Sequence, residues 1–389
     1  MTILPMTTNR SGRGIAALAL TLAGLLLAGC SSTPDKPKPT PLDALSAPQL
    51  TGRQLWKQKI GDVGFPLSIA VHGTSLTVAD DGGRVVSFEA DTGREIWRAQ
   101  VDAKLSAGVG SDGRIAAVVS KDNELIALDA GKVVWRQRLP SRVVTAPLVA
   151  GERVFVMGID RTVQAFDAFD GRKLWTYQKS SDALTLSQPG VLAPFKDTLL
   201  AGQGARLVGL DPTRGTVRWD PSLATPRGTN EVERLADLVG PAGRSGDLVC
   251  ARAFQVAVAC VNAERGSLLW TRNAGGTGGV AVDEQLVFGV DASDRATAWR
   301  MVDGSIAWTL ERLLYRGLTS PLAVPVGQGG GAFVVGDRAG IVHWLSRDGG
   351  ATILRMPTDG EPIRATPVKV GVITVVVTSG GGVYAFRAE

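Results

Sequence analysis

The sequence predicts an all-β fold, an eight-bladed β-propeller with four antiparallel strands per blade and a ring closed by pairing the two chain ends. Three observations predict it. A turn motif followed by a tryptophan recurs along the chain at intervals near 40 residues. Glycine is abundant, at 48 of 389 residues, among scattered Val, Leu and Ala, as short strands joined by tight turns require. The two ends of the mature chain each match a different part of one repeat, so together they make a whole one.

The first element is an address. Arg10 and Arg13 precede an apolar run over 15–27, a charged n-region followed by an h-region too short for a comfortable membrane span. The run ends in Leu27-Ala28-Gly29-Cys30, which looks like a bacterial lipobox. This predicts a leader over 1–29 and a lipidated Cys30; an ordinary secretory leader with a chance cysteine is the alternative. Several acyl chains on one residue anchor stably where one would not. Ser31 follows, and the absence of Asp there favours the periplasmic face of the outer membrane. Residues 30–50 then read as a linker, with Pro34, Pro37, Pro39, Pro41 and Pro48 and no aromatics. Such a stretch stays extended and, at about 3 Å per residue, could hold the body roughly 50 Å from the lipid.

The propeller is expected over 51–389. Its units run Phe88-Glu89-Ala90-Asp91-Thr92-Gly93 to Trp97, Ala127-Leu128-Asp129-Ala130-Gly131 to Trp135, and Ala165-Phe166-Asp167-Ala168-Phe169-Asp170-Gly171 to Trp175. They continue with Gly209-Leu210-Asp211-Pro212-Thr213-Arg214-Gly215 to Trp219, Val261-Asn262-Ala263-Glu264-Arg265-Gly266 to Trp270, and Met301-Val302-Asp303-Gly304 to Trp308. The seventh, Leu345-Ser346-Arg347-Asp348-Gly349-Gly350, has Leu354 in place of Trp. Asp or Asn bonds back onto the turn and Gly takes positive φ, so these residues read as turn chemistry rather than metal ligands. The intervals are 41 residues from Trp56 to Trp97, then 38, 40, 44, 51 and 38, and 46 more to Leu354, the length of a propeller blade.

Upstream of each motif lies a second hairpin, often opening with Thr or Ser near Pro, as in Thr145-Ala146-Pro147 and Thr366-Pro367. Gly52-Arg53-Gln54-Leu55-Trp56 matches only a fourth strand, and Gly382-Val383-Tyr384-Ala385-Phe386-Arg387 only a third, which gives the eighth blade. The tryptophans are expected to pack between blades rather than stack on a flat cofactor. A three-residue turn at 254–256 would set Cys250 opposite Cys260, and in an oxidising compartment the pair is expected to form a disulfide, free thiols being the alternative.

The composition argues against catalysis. The chain has two histidines, His72 and His343, neither beside a Cys or second His at metal-ligand spacing. No cofactor and no metal are expected. With a net charge of +5 and no basic stripe interleaved with aromatics, no nucleic-acid partner is expected either.

The Asp-Gly-Trp units resemble the repeats of pyrroloquinoline-quinone dehydrogenases, and more closely those of the BamB family, lipoproteins of the machinery that assembles outer-membrane β-barrels. The stretches that carry the closer likeness are Leu184-Thr185-Leu186, then 230–237 (Asn-Glu-Val-Glu-Arg-Leu-Ala-Asp), and 313–321 with Val335-Gly336-Asp337 and His343-Trp344. The resemblance implies a non-catalytic scaffold that binds BamA through its periplasmic POTRA repeats, beside other subunits of the complex. It further implies partner contacts at Leu184, Leu186, Glu231, Arg234 and Asp237. Ser187 stands where the family usually has Arg, and Val239 where it often has a second Asp.

Independent of family, paired leucines in a loop suggest an interface. Asn230 and Glu233 predict a capping box opening a short helix that aligns Glu231, Arg234 and Asp237. A self-satisfied surface helix, with Arg234 bridging two acids, is the bland alternative. Outer strands offer edges to unfolded outer-membrane proteins. The rival functions are a propeller lipoprotein that binds another protein or a glycan, and a quinoprotein dehydrogenase; the adjacent cysteines expected of the latter are missing.

Overall fold

The computed structural model describes residues 1–2, 37–45, 50–179, 184–226, 228–326 and 330–389. The leader and Cys30 lie outside the described residues. The chain divides into a unit of residues 1–38 and a unit Pro39–Glu389, and the following concerns the second. Among the described residues, no helix is long and apolar enough to cross a membrane.

Eight four-stranded antiparallel sheets form the eight blades. Blades 1 to 7 use consecutive strands within 70–100, 110–138, 148–177, 192–219, 238–273, 280–310 and 322–357. The eighth takes three strands from 368–388 and its outermost from Gly52–Lys59. Gly52 pairs with Ala388 and Lys59 with Gly382, so the two chain ends close the ring in the expected register. The innermost strands of neighbouring blades face each other around a channel of about 950 Å³, rimmed by Pro66, Pro189, Pro241, Pro321 and Pro367.

Second and third strands are buried almost throughout, and alternate residues point into the gaps between blades. Seven of the eight gaps are sealed by a tryptophan, and in five of them its indole also bonds across the gap. The indole Nε1–H of Trp56 in blade 8 donates to Ala90 O of blade 1 at 2.7 Å, and Trp135 to Ala168 O at 2.9 Å. Trp175, Trp270 and Trp308 reach Pro212 O, Met301 O and Arg347 O in turn. Each ring also lies on the positive-φ glycine of the next blade's turn. A methyl added to Gly93, Gly171 or Gly215 would come within 2.6 Å of the ring of Trp56, Trp135 or Trp175. The glycine is therefore required twice, for its φ and for its missing side chain.

Asp167 Oδ1 accepts from Phe169 N at 2.9 Å, and Asp211 Oδ1 from Thr213 N at 2.8 Å, so the recurring acids are turn acceptors. A second recurring device joins the second and third strands. Asp80, Asp291 and Asp337 each accept from backbone N–H groups two and four residues on.

In all eight blades the outer strand carries a bulge at the residue before the tryptophan. Ser87 faces Trp97 while Phe88 faces Glu95, leaving Ile96 unpaired. The same shift occurs in the other seven, including Leu354 of blade 7 and Trp56 of blade 8. The extra residue raises the local twist and aims the large side chain sideways into the next blade.

Cys250 and Cys260 face each other across the second and third strands of blade 5 and are disulfide-bonded, with Cα atoms 4.0 Å apart. The intervening turn is 254–256.

Blade 7 holds a buried polar cluster. Asp337 is fully buried and its Oδ2 receives His343 Nε2 at 3.0 Å and Arg316 Nε at 2.8 Å. Burial alone would raise the Asp337 carboxyl, but the bonds from His343, the Ile341 N–H and Arg316 hold it below its ordinary value. Burial pushes the His343 imidazole down, against the pull of Asp337.

Two outcomes follow from this packing. Trp135→Phe, which puts a smaller ring in the gap and loses the bond to Ala168 O, should destabilise by about 1 to 2 kcal/mol. Gly171→Ala should cost about 2 kcal/mol or more through its left-handed φ and the Trp135 clash. Urea unfolding of the two variants checks the order. As pH falls below 6.5, the ordinary imidazole value, the unfolded chain binds a proton that folded His343 resists, so stability declines. In His343→Gln the loss of melting temperature between pH 7 and pH 5.5 should be visibly smaller; an equal loss would assign it to other groups.

Candidate functional site

The segments linking one blade to the next lie on the same face of the ring as the turns between second and third strands. Three of these features converge at blades 3 to 5. Arg161, in the turn of blade 3, sits at φ 63°, in the place that Gly83, Asn123, Asp294 and Gly340 fill in other blades. A long cation in a left-handed position costs conformational energy and persists only where contacts hold it.

The contacts are specific. Arg161 Nε donates to Asp237 Oδ1 at 2.8 Å, and its Nη2 lies 2.7 Å from the same oxygen. Nη2 also reaches Leu184 O at 3.3 Å. Asp237 Oδ2 accepts the Leu186 N–H at 3.0 Å. The pair is nearly enclosed, with side chains 11% and 15% exposed, and both carboxylate oxygens are engaged. One ion pair thus ties two segments 51 residues apart to the turn of a third blade. Between them lies a crevice of about 30 Å³, lined by Thr145, Met157, Arg161, Leu186 and Asp237, with room for about one water.

The structure brings together Leu184, Leu186 and Asp237 of the sequence-predicted residues. Both leucines are half-buried rather than exposed, because their backbone is drawn onto Arg161 and Asp237. Glu231 and Arg234 stand apart, exposed on a single turn over 231–234. The expected helix does not form. Half of the capping box does: Asn230 Oδ1 accepts the Glu233 N–H at 2.9 Å. Glu233 Oε2, however, reaches back to Thr229 N at 2.7 Å, one residue beyond the expected partner, and that bond holds the Glu233 carboxyl low. The chain then turns inward to bury Ala236 and deliver Asp237 to Arg161. One turn does not recover the cost of nucleating a helix. Asp237 is therefore paired with Arg161 and does not share a helical face with Glu231 and Arg234; the bland alternative, with Arg234 bridging two acids, is not the arrangement either.

Arg161 escaped the sequence reading. The signal was a departure from the repeat, an arginine where other turns carry Gly, Asn or Asp. Arg161→Gly and Asp237→Asn should each loosen 184–190 while leaving the ring folded. Hydrogen exchange at the Leu186 amide should quicken, and Asp237→Asn should cost about 2 kcal/mol for the lost charged bonds. Unchanged exchange would mean the loop holds itself.

A family model described as outer membrane protein assembly factor BamB matches residues 42–106 and 82–310. The outer membrane protein assembly factor BamB of Burkholderia pseudomallei is 36% identical over 97% of this chain and 99% of its own length. That of Bordetella pertussis is 34% identical over 99% of this chain and all of its own. The crystal structure of BamB from Moraxella catarrhalis superposes with a TM-score of 0.77, at 23% identity, covering 87% of this chain and 99% of that one, a likeness of fold. Repeat, ring and comparison agree, and the chain belongs to the BamB family of outer membrane protein assembly factors.

Proposed function

We propose that this chain is a non-catalytic scaffold subunit of the outer-membrane β-barrel assembly machinery, held at the periplasmic face of the outer membrane by lipid on Cys30. Its connection face binds the periplasmic POTRA repeats of BamA. The observation that carries this reading is the Arg161–Asp237 pair, which holds Leu184 and Leu186 in one conformation beside the exposed turn bearing Glu231, Val232 and Arg234. Val232 is 71% exposed, an apolar tip on a charged loop. A pre-ordered loop costs little to dock, so its contacts convert more fully into affinity.

In this reading Asp237 acts by positioning, and the groups that touch the partner are Leu184, Leu186, Glu231, Val232 and Arg234. Ser187 and Val239, where the family pattern has Arg and Asp, leave the leucines and the turn to carry more of the contact. The histidines fit a scaffold: His72 is exposed at a turn and His343 is committed to Asp337. Unfolded barrel chains are the further partner of this reading, pairing with the exposed edges of the outer strands, such as Gly52–Lys59 and Lys132–Arg138.

Calorimetry of the full-length chain in detergent against the POTRA repeats of the cognate BamA tests this. Leu186→Ala should weaken binding roughly 10-fold, about 1.4 kcal/mol. Glu231→Lys with Arg234→Glu should weaken it further and change its salt dependence. No binding by the parent protein would remove the partner. Equal binding by parent and variants would keep the partner and discard the face.

A further inference from the structure

Residues Pro39–Asp43 do not behave as the free end of a linker. Thr40 N–H donates to Leu314 O at 3.0 Å, and Thr40 O accepts from Arg316 Nη1 at 3.0 Å. Leu42 packs onto the core between blades 6 and 7, the cluster that includes Phe288, Leu313 and Phe333. Asp43 O accepts from the Arg355 guanidinium. Both arginines bind main-chain carbonyls, so the groove reads an extended backbone and one apolar side chain.

The groove is also held by contacts that do not involve the segment. Arg316 is gripped by Asp337 through Nε at 2.8 Å and Nη2 at 2.7 Å, and its side chain is 9% exposed. Asp337 is itself fixed by His343 and by the N–H groups of its own turn. Pro39 and Pro41 flank Thr40 and favour the extended form, so little chain entropy is lost on docking.

We infer that Pro39–Asp43 is a strap, and that the groove between blades 6 and 7 is an interaction surface whose partner is the chain's own tether. The strap fixes the point at which the tether leaves the ring, on the connection face that also carries Arg161 and Asp237. Nine residue steps lead from Cys30 to Pro39, which can span at most about 30 Å. The body is thereby held nearer to its anchor than the roughly 50 Å that a wholly free linker would allow, with blades 6 and 7 as its membrane-proximal rim. This second half rests on the lipid at Cys30.

The test has two arms. Nitroxides at Ala44→Cys and Glu311→Cys in the full-length chain report the strap by double electron–electron resonance. A single narrow distance distribution is expected, broadening in Leu42→Asp and in Arg355→Ala, neither of which removes a strand contact of the ring. A broad distribution in the parent, or no change in either variant, overturns the strap. In the second arm, lipidated protein in nanodiscs carries a donor dye at Val372→Cys and an acceptor in the bilayer. A ten-residue Gly/Ser insertion before Pro39 should lower transfer, since it lengthens a tether of about nine residues by roughly 7 Å of root-mean-square reach. The same insertion after Ala44 should leave transfer unchanged. Equal effects of the two insertions overturn the orientation claim. The first arm can be repeated in Cys30→Ser, so a missing anchor and a missing strap give different results.

Discussion

The ring depends on one repeated contact, an indole laid on a glycine of the next blade. A propeller has no central core; each sheet is stable only while both its faces are covered. Tryptophan suits the wedge because its ring fills the wide outer part of the gap and its Nε1–H meets a turn carbonyl. The bulge aims it, the left-handed glycine makes space, and the acid two or more residues earlier holds the turn in shape. Where the turn between third and fourth strands is replaced by the two chain ends, in blade 8, there is no glycine turn and no free carbonyl of that kind. There Leu354 takes the position and packs against Gly52. The one break in the tryptophan series thus falls where the indole's docking site is missing.

Most of the fold was legible because its determinants are local and repeated. Asp, Gly and Trp at fixed offsets specify a turn, a strand and a packing direction without reference to distant residues. The opposition of Cys250 and Cys260 followed from alternation about a short turn. The candidate site was legible only in part, since it is made of non-repeated segments whose form is settled by distant partners. Asn230 and Glu233 carry a helix-start signal, yet the chain is called inward by Arg161, 76 residues away from Asp237. Leu184 and Leu186 are half-covered for the same reason. The strap was missed because proline-rich, polar composition describes what a segment does alone, not what it does beside a prepared groove.

The places where connections between blades are pinned use one chemical solution. Groups in the turns between second and third strands reach the connections beside them. Asp294 accepts from Gly317 N and Leu318 N, Asp80 from Gly61 N, Asp337 from Arg316, and Arg161 holds Asp237. Burial raises the Asp294 carboxyl in spite of those bonds, so rigid loops are obtained at some electrostatic cost. The connection face is stiff by construction, which suits a surface that must present the same shape at each encounter.

The closing strand has a consequence in time. Gly52 pairs with Ala388, so the first strand to leave a ribosome or cross a membrane waits for the last. Blades 1 to 7 can each form from neighbouring residues, but the ring has no latch until almost the whole chain is present, and a contact of such sequence separation is slow to find. A chain cut short near its end would keep seven finished blades and lose the eighth, leaving an open arc with two raw flanks. Completeness of the polypeptide is thus read out by the geometry of its own closure.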